Sequence, residues 1–161
     1  MRDVKSESLS VGVVQLCSSN QIELNLEKIV TIVMEEAGRS NPSRLLVFPE
    51  NALQMVSGGT SRYLNMDAPE FERLAELAQK SGVAILIGSV ALSTEDGPFN
   101  SMVFFEPGRP VREVYRKIHL FDVDVDGAAP VRESDKFGRG AAPQVLEFQG
   151  FKMGLSICYD L

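Results

Sequence analysis

Cysteine is scarce in this sequence: Cys17 and Cys158 are the only two among 161 residues. No metal-type Cys spacing is present, and a lone pair of thiols fits a reducing cytoplasm, although a disulfide between the two remains open. Histidine is scarcer still, with His119 alone. There is no basic run. Sixteen Lys and Arg are scattered among 22 acidic residues, for a net charge of −6. Nucleic acid and anionic membrane are therefore poor partners. The polar N-terminus, Met-Arg-Asp-Val-Lys-Ser-Glu-Ser, lacks the apolar segment of a secretory signal. No apolar run is long enough to span a bilayer. Repeats, low-complexity stretches and interdomain linkers are absent, so one domain over 1–161 is expected. The pair Gly58-Gly59 is too weak a signal for a phosphate loop.

What is present suits a soluble globular domain. The chain is 44% hydrophobic and 24% charged, ordinary values for that class. A chain of this size can bury about 68–70% of its unfolded surface. Ser10–Cys17 reads as a near-continuously apolar strand of the kind covered on both faces. Ser18, Ser19 and Asn20 are N-cap residues for a helix whose stripe is Ile22, Leu26, Ile29, Val30, Val33 and Ala37, stopped at Gly38. Leu45–Phe48 is a second buried-type strand, closed by Pro49 and followed by Glu50. After a loop centred on residues 57–61, Asp67 and Glu70 form a capping-box pair with Pro69 early in a helix. That helix packs through Phe71, Leu74, Leu77 and Ala78 and ends at Gly82. Val83–Leu92 is a third strand. Phe99–Phe105 and Val111–Tyr115 form a hairpin-like pair. A long acidic loop, Asp122–Gly140, precedes Gln144–Phe148 and a final strand that begins at Phe151. The order βαβα followed by strands predicts a mixed, partly parallel α/β sheet with helices on one face.

Three residues draw chemical interest. In Phe151–Leu161, Phe151, Met153, Leu155 and Ile157 alternate with Lys152, Gly154 and Ser156, the period of a strand with one buried face. That strand delivers Cys158 to the carboxyl edge of the sheet, where α/β proteins usually meet ligands. The N–H groups that follow, beginning with Tyr159, could bind a developing oxyanion. A buried small hydrophobe is the bland reading of Cys158. Glu50 follows directly on a buried-type strand, where a partly desolvated carboxylate can act as a base; an exposed loop glutamate is the competing reading. Lys117 ends a strand and could stabilise charge on a carbonyl oxygen, or else be a solvated surface lysine. His119 invites a Cys–His dyad, but nothing fixes its distance to Cys158, and a structural, hydrogen-bonded role is the better reading. Cys17 reads as core or pocket lining.

Three segments then stand together: Leu-Leu-Val-Phe-Pro-Glu ending at Glu50, Tyr-Arg-Lys-Ile-His-Leu-Phe around Lys117, and Gly-Leu-Ser-Ile-Cys-Tyr-Asp around Cys158. They resemble, in order, the signature segments of the nitrilase, or carbon–nitrogen hydrolase, superfamily. Val-Gly-Val-Val-Gln-Leu, followed by Asn25 in the first helix, resembles that family's opening. Phe99-Asn100-Ser101 resembles its Tyr-Asn-Ser stretch. The resemblance covers essentially the whole chain and leans toward the Nit-type, omega-amidase-like branch.

It implies an αββα sandwich and a catalytic triad of Glu50, Lys117 and Cys158. It also implies a supporting Glu133, no metal, no organic cofactor, and assembly into homo-oligomers at full length. The substrate it implies is a small amide, cleaved to a carboxylate and ammonia through a Cys thioester. Family members continue past the cysteine into a second half of the sandwich, so this chain is expected to hold the N-terminal part only. Two readings follow: an amidase of this type, complete or truncated, and a non-catalytic remnant that folds or associates without turnover.

Overall fold

A computed structural model describes residues 8–56, 61–124, 126–127 and 130–161. Five strands form one sheet in the order β1-β2-β3-β4-β5. They are β1 (Val11–Val13), β2 (Leu45–Phe48), β3 (Ala84–Thr94), β4 (Gly97–Phe105) and β5 (Arg112–Arg116). β1, β2 and β3 run parallel, joined through helices α1 (Ile22–Ala37) and α2 (Pro69–Ser81). β3, β4 and β5 run antiparallel. This is the mixed α/β arrangement that the element order predicts.

Alternation along the strands divides the core in two. Leu46, Phe48, Ile85, Ile87, Val103 and Phe105 meet both helices through Leu26, Ile29, Val33, Phe71 and Leu74. On the other face Leu45, Leu86, Met102, Phe104 and Tyr115 pack against Leu146, Phe148 and Ile157. Those last residues belong to, or directly follow, a hairpin of β8 (Val145–Phe148) and β9 (Phe151–Gly154). Its two-residue turn puts Gln149 and Gly150 at φ 50° and 85°, the positive-φ pair that hairpin twist favours. Helices thus lie on one face of the sheet and strands on the other. A short ladder of β6 (Asp122–Val123) and β7 (Val131–Arg132) interrupts the stretch read as a loop.

Several local expectations need correction. The first strand is three residues long and sits at the sheet edge, with Val13 80% exposed. Among the described residues it pairs only with β2, and Val11 and Val13, in register with Leu45 and Val47, are left largely uncovered, while Val14 and Leu16 reach the helical core. Cys17 is exposed, neither core nor cleft lining. No serine or asparagine side chain caps α1, whose N-cap is Gln21. Instead Asn25 reaches back from inside the helix to Ser19 and across to the Leu53 carbonyl. The capping box at Asp67 does not form either. Ala68 is the N-cap, and the Glu70 carboxylate is drawn to Arg62 at 2.5 Å. Pro69 does open α2, and Gly82 closes it in the left-handed conformation at φ 70°. The Gly58-Gly59 pair lies outside the described residues.

Candidate functional site

Glu50 owes its place to a close approach between strands. β2 stops at Phe48 because Pro49 has no N–H to extend the ladder. Beside it the β3–β4 register shifts between Ile87 and Val90, where Gly88 and Ser89 sit. A Cβ on Gly88 would lie 2.0 Å from the Phe48 carbonyl oxygen, so only glycine lets β2 leave the sheet this way. Ser89, fully buried, accepts the Asn51 N–H at 3.1 Å. That bond fixes Asn51 at φ 55° and turns Glu50 inward.

Lys117 is held by its backbone first. Its N–H donates to the Asn100 carbonyl at 2.9 Å, and its own carbonyl accepts the Gly140 N–H at 2.8 Å. Gly140 lies so close that a Cβ there would stand 2.1 Å from the Arg116 carbonyl oxygen. The Lys117 side chain is 2% exposed. Its ammonium donates to Glu50 Oε1 and to Glu133 Oε2, both at 2.9 Å. Two of its three N–H bonds are so used. Glu133 opens a 3-10 turn, Glu133–Asp135, and its Oε2 also accepts the Phe121 N–H at 2.6 Å.

Asn100, on β4, closes the cluster. Its Nδ2 donates to Glu50 Oε1 at 2.9 Å and to Glu133 Oε1 at 2.8 Å. Its Oδ1 is buried without a hydrogen-bond partner among the described residues. One cation and one amide therefore hold two carboxylates.

Cys158 follows Ile157 into a 3-10 turn, Cys158–Asp160. Its φ is 47°, a left-handed conformation that costs a non-glycine residue roughly 1–2 kcal/mol. Asp160 fastens this turn to the Lys117 segment. Its Oδ2 accepts the Tyr115 hydroxyl at 2.6 Å and the Ile157 N–H at 3.0 Å. Its Oδ1 accepts the N–H groups of Ile118 and His119 at 3.2 and 2.8 Å. His119 Nδ1 lies 3.0 Å from the same oxygen, with the ring 62% exposed. The only histidine thus serves the Asp160 clasp and does not line the cleft that Cys158 faces.

That cleft has a volume of about 760 Å³ and is lined by Glu50, Asn100, Lys117, Glu133 and Cys158, with Phe121, Val131 and Phe137 among its apolar wall. The five polar residues thus meet in one place, although all five are well separated in sequence. The Tyr159 ring stands edge-on to Phe121, 5.3 Å between centroids.

The electrostatics follow from the geometry. Burial disfavours the Lys117 ammonium, but Glu50 and Glu133 outweigh it, and its pKa is raised above the ordinary lysine value. Cys158 is exposed at the cleft, yet local desolvation and then the nearby Glu50 charge push its thiol up, while Lys117 and the Tyr159 N–H pull it down less strongly. Cys158 and Glu50 thus face the same cleft. Burial also opposes the Asp160 charge, but the bonds from Tyr115, His119 and Ile157 prevail and hold it below the usual range. Among the described residues, no group of His, Cys, Asp and Glu is arranged to hold a metal ion, and no helix is long and apolar enough to cross a membrane.

Sequence reasoning missed four contributors. Gly88 and Ser89 lie inside an apolar strand, where the glycine was the one available signal. Asn100 stood in a noted stretch without a role. Asp160 followed the cysteine closely enough to be part of its motif, but a carboxylate there gives no hint of the four donors it accepts from.

A family model, carbon-nitrogen hydrolase, matches residues 10–161. The omega-amidase NIT2 of Danio rerio is 32% identical over 94% of this chain and 54% of its own length. A deaminated glutathione amidase of Yersinia enterocolitica is 29% identical over 96% of this chain and 56% of its own. Among solved structures, XC1258 of Xanthomonas campestris, a CN-hydrolase superfamily protein, superposes with a TM-score of 0.77 at 25% identity, covering 96% of this chain and 54% of that one. The chain spans about half the length of the curated relatives it matches. With a family model matched over almost all of its length, the chain belongs to the carbon–nitrogen hydrolase family.

Proposed function

We propose that this chain carries the reacting half of an amidase, which cleaves a small carboxamide to a carboxylate and ammonia through a thioester on Cys158. The observation that carries the reading is one cleft lined by both Cys158 and Glu50, whose buried Lys117 ammonium holds two carboxylates. Glu50 takes the thiol proton as sulfur attacks the amide carbonyl carbon. The π pair moves onto oxygen, where the remaining Lys117 N–H and the Tyr159 N–H stabilise the oxyanion. As the carbonyl re-forms, the C–N bond breaks and nitrogen leaves as ammonia with the proton Glu50 had taken. Water, deprotonated by Glu50, attacks the thioester; the C–S bond breaks, and the proton returns to sulfur. Glu133 keeps the Lys117 ammonium in place and charged. The relatives named as amidases support an amide over a nitrile. The partner expected is this small amide, with no metal or organic cofactor called for.

The test follows ammonia release from a panel of small primary amides. It uses the 161-residue chain, a form extended to the relatives' length, and the variants Cys158→Ala, Glu50→Gln and Lys117→Met. Turnover lost in all three variants, with an acyl adduct on Cys158 by mass spectrometry, is the expected outcome. Turnover that survives Cys158→Ala refutes the proposal. A second reading is a domain that folds or associates without turnover by itself. Activity in the extended form but not in the chain alone would select it.

A further inference from the structure

The amide of Asn100 makes a contact that the reaction steps above leave unused. Its single NH2 group bridges Glu50 and Glu133, one proton to each Oε1, at 2.9 and 2.8 Å. The residue is 2% exposed and its carbonyl oxygen is buried without a partner among the described residues. Turning the amide over would face that oxygen toward two carboxylates, so only this orientation is tolerated. A buried oxygen left unpaired is the consequence of an orientation dictated entirely by the donor side. The Asn100 backbone is tied to the same centre, since its carbonyl accepts the Lys117 N–H at 2.9 Å. β4 therefore reaches both the cation and its two acids through one residue.

We infer that Asn100 is a positioning residue, whose amide clamps Glu50 Oε1 and so fixes the placement of that carboxylate in the cleft it shares with Cys158. Lys117 alone would not fix this geometry. An ammonium is a rotating point charge that allows a carboxylate to swing about it. A second donor at the same oxygen, set on a central strand, removes that freedom. Ser101, the next residue on β4, is also fully buried, but its hydroxyl donates to Glu113, away from the cluster. This inference rests on the site reading above but not on turnover.

The experiment titrates the Cys158 thiol by its thiolate absorbance in a Cys17→Ser background. The charged groups that share the cleft with the sulfur are Glu50 after β2, Lys117 after β5, and Arg132, Glu133, Asp135 and Lys136 at and after β7. The variants are Asn100→Leu, which keeps the size without the donor, and Asn100→Ser, in case leucine prevents folding. Ser101→Ala is the control for loss of a buried β4 hydrogen bond. With the clamp gone, Glu50 swings from the sulfur and the thiol midpoint falls by about one pH unit. Ser101→Ala lowers stability and leaves the midpoint alone. A midpoint unchanged in folded Asn100→Leu or Asn100→Ser overturns the inference, and so does an equal fall in Ser101→Ala. A parent thiol that titrates no higher than an ordinary cysteine would instead refute the juxtaposition of Glu50 and Cys158, and the proposed function with it.

Discussion

At the scale of single residues, the site is built from groups that are uncomfortable by themselves. Lys117 is buried and would be costly without its two acids. Lys117→Met leaves Glu50 and Glu133 facing each other with no cation, so a loss of roughly 3–5 kcal/mol is expected from denaturant unfolding. The pH dependence has a definite sign. The Lys117 pKa is raised on folding, so its stabilisation is complete below the ordinary lysine value and disappears as pH rises through the folded one. Asp160 is the opposite case, with its pKa lowered on folding. Its stabilisation is present above the ordinary aspartate value and is lost as pH falls below it. Acid unfolding of Asp160→Asn should therefore show a smaller pH slope than the parent in that window. Cys158 holds a positive φ. Glycine there relieves the strain that alanine keeps, so Cys158→Gly should be more stable than Cys158→Ala by up to ~1 kcal/mol, read as a shift in thermal midpoint.

At the scale of elements, the decisive features are places where strands approach too closely for a side chain. Gly88 admits the end of β2, and Gly140 admits the end of β5. Gly88→Ala must push back the Phe48 carbonyl, at an expected cost of about 1–3 kcal/mol, and must move Glu50 as it does so. Gly140→Ala should do the same to Lys117. Both should weaken the proposed turnover more than an equally destabilising change on α2, such as Leu77→Val, far from the cleft. Comparison of activity at matched unfolding free energy separates the two effects. The Asp160 clasp acts at the same scale, since it locks the turn after β9 to the segment after β5.

At the scale of the whole molecule, β1 is an edge with its outer side chains uncovered: Val11 is 41% and Val13 80% exposed. An edge of that kind pairs readily with another chain. Val13→Lys should reduce concentration-dependent light scattering while leaving the thermal midpoint almost unchanged. The net charge of −6 opposes association at low salt, so scattering of the parent chain should grow as salt screens it.

The sequence by itself determined the order of the five sheet strands and two helices, both helical stripes and the glycine that ends α2. Each of these is set by neighbours within a few residues, through periodicity or a backbone preference. It also marked Glu50, Lys117, Glu133 and Cys158 as residues worth watching. Tertiary structure alone decided that Val13 faces outward while Leu45 is buried. A period-two pattern says which residues share a face, and only the sheet order says what covers that face. The missing helix caps have a similar cause, because Glu70 went to Arg62 and Asn25 to the Ser19 and Leu53 segments, partners outside the first turn. The roles of Gly88, Asn100 and Asp160 were invisible for the same physical reason. Each acts on atoms distant along the chain, and hydrogen bonds and close contacts depend on positions in space that local preferences do not encode.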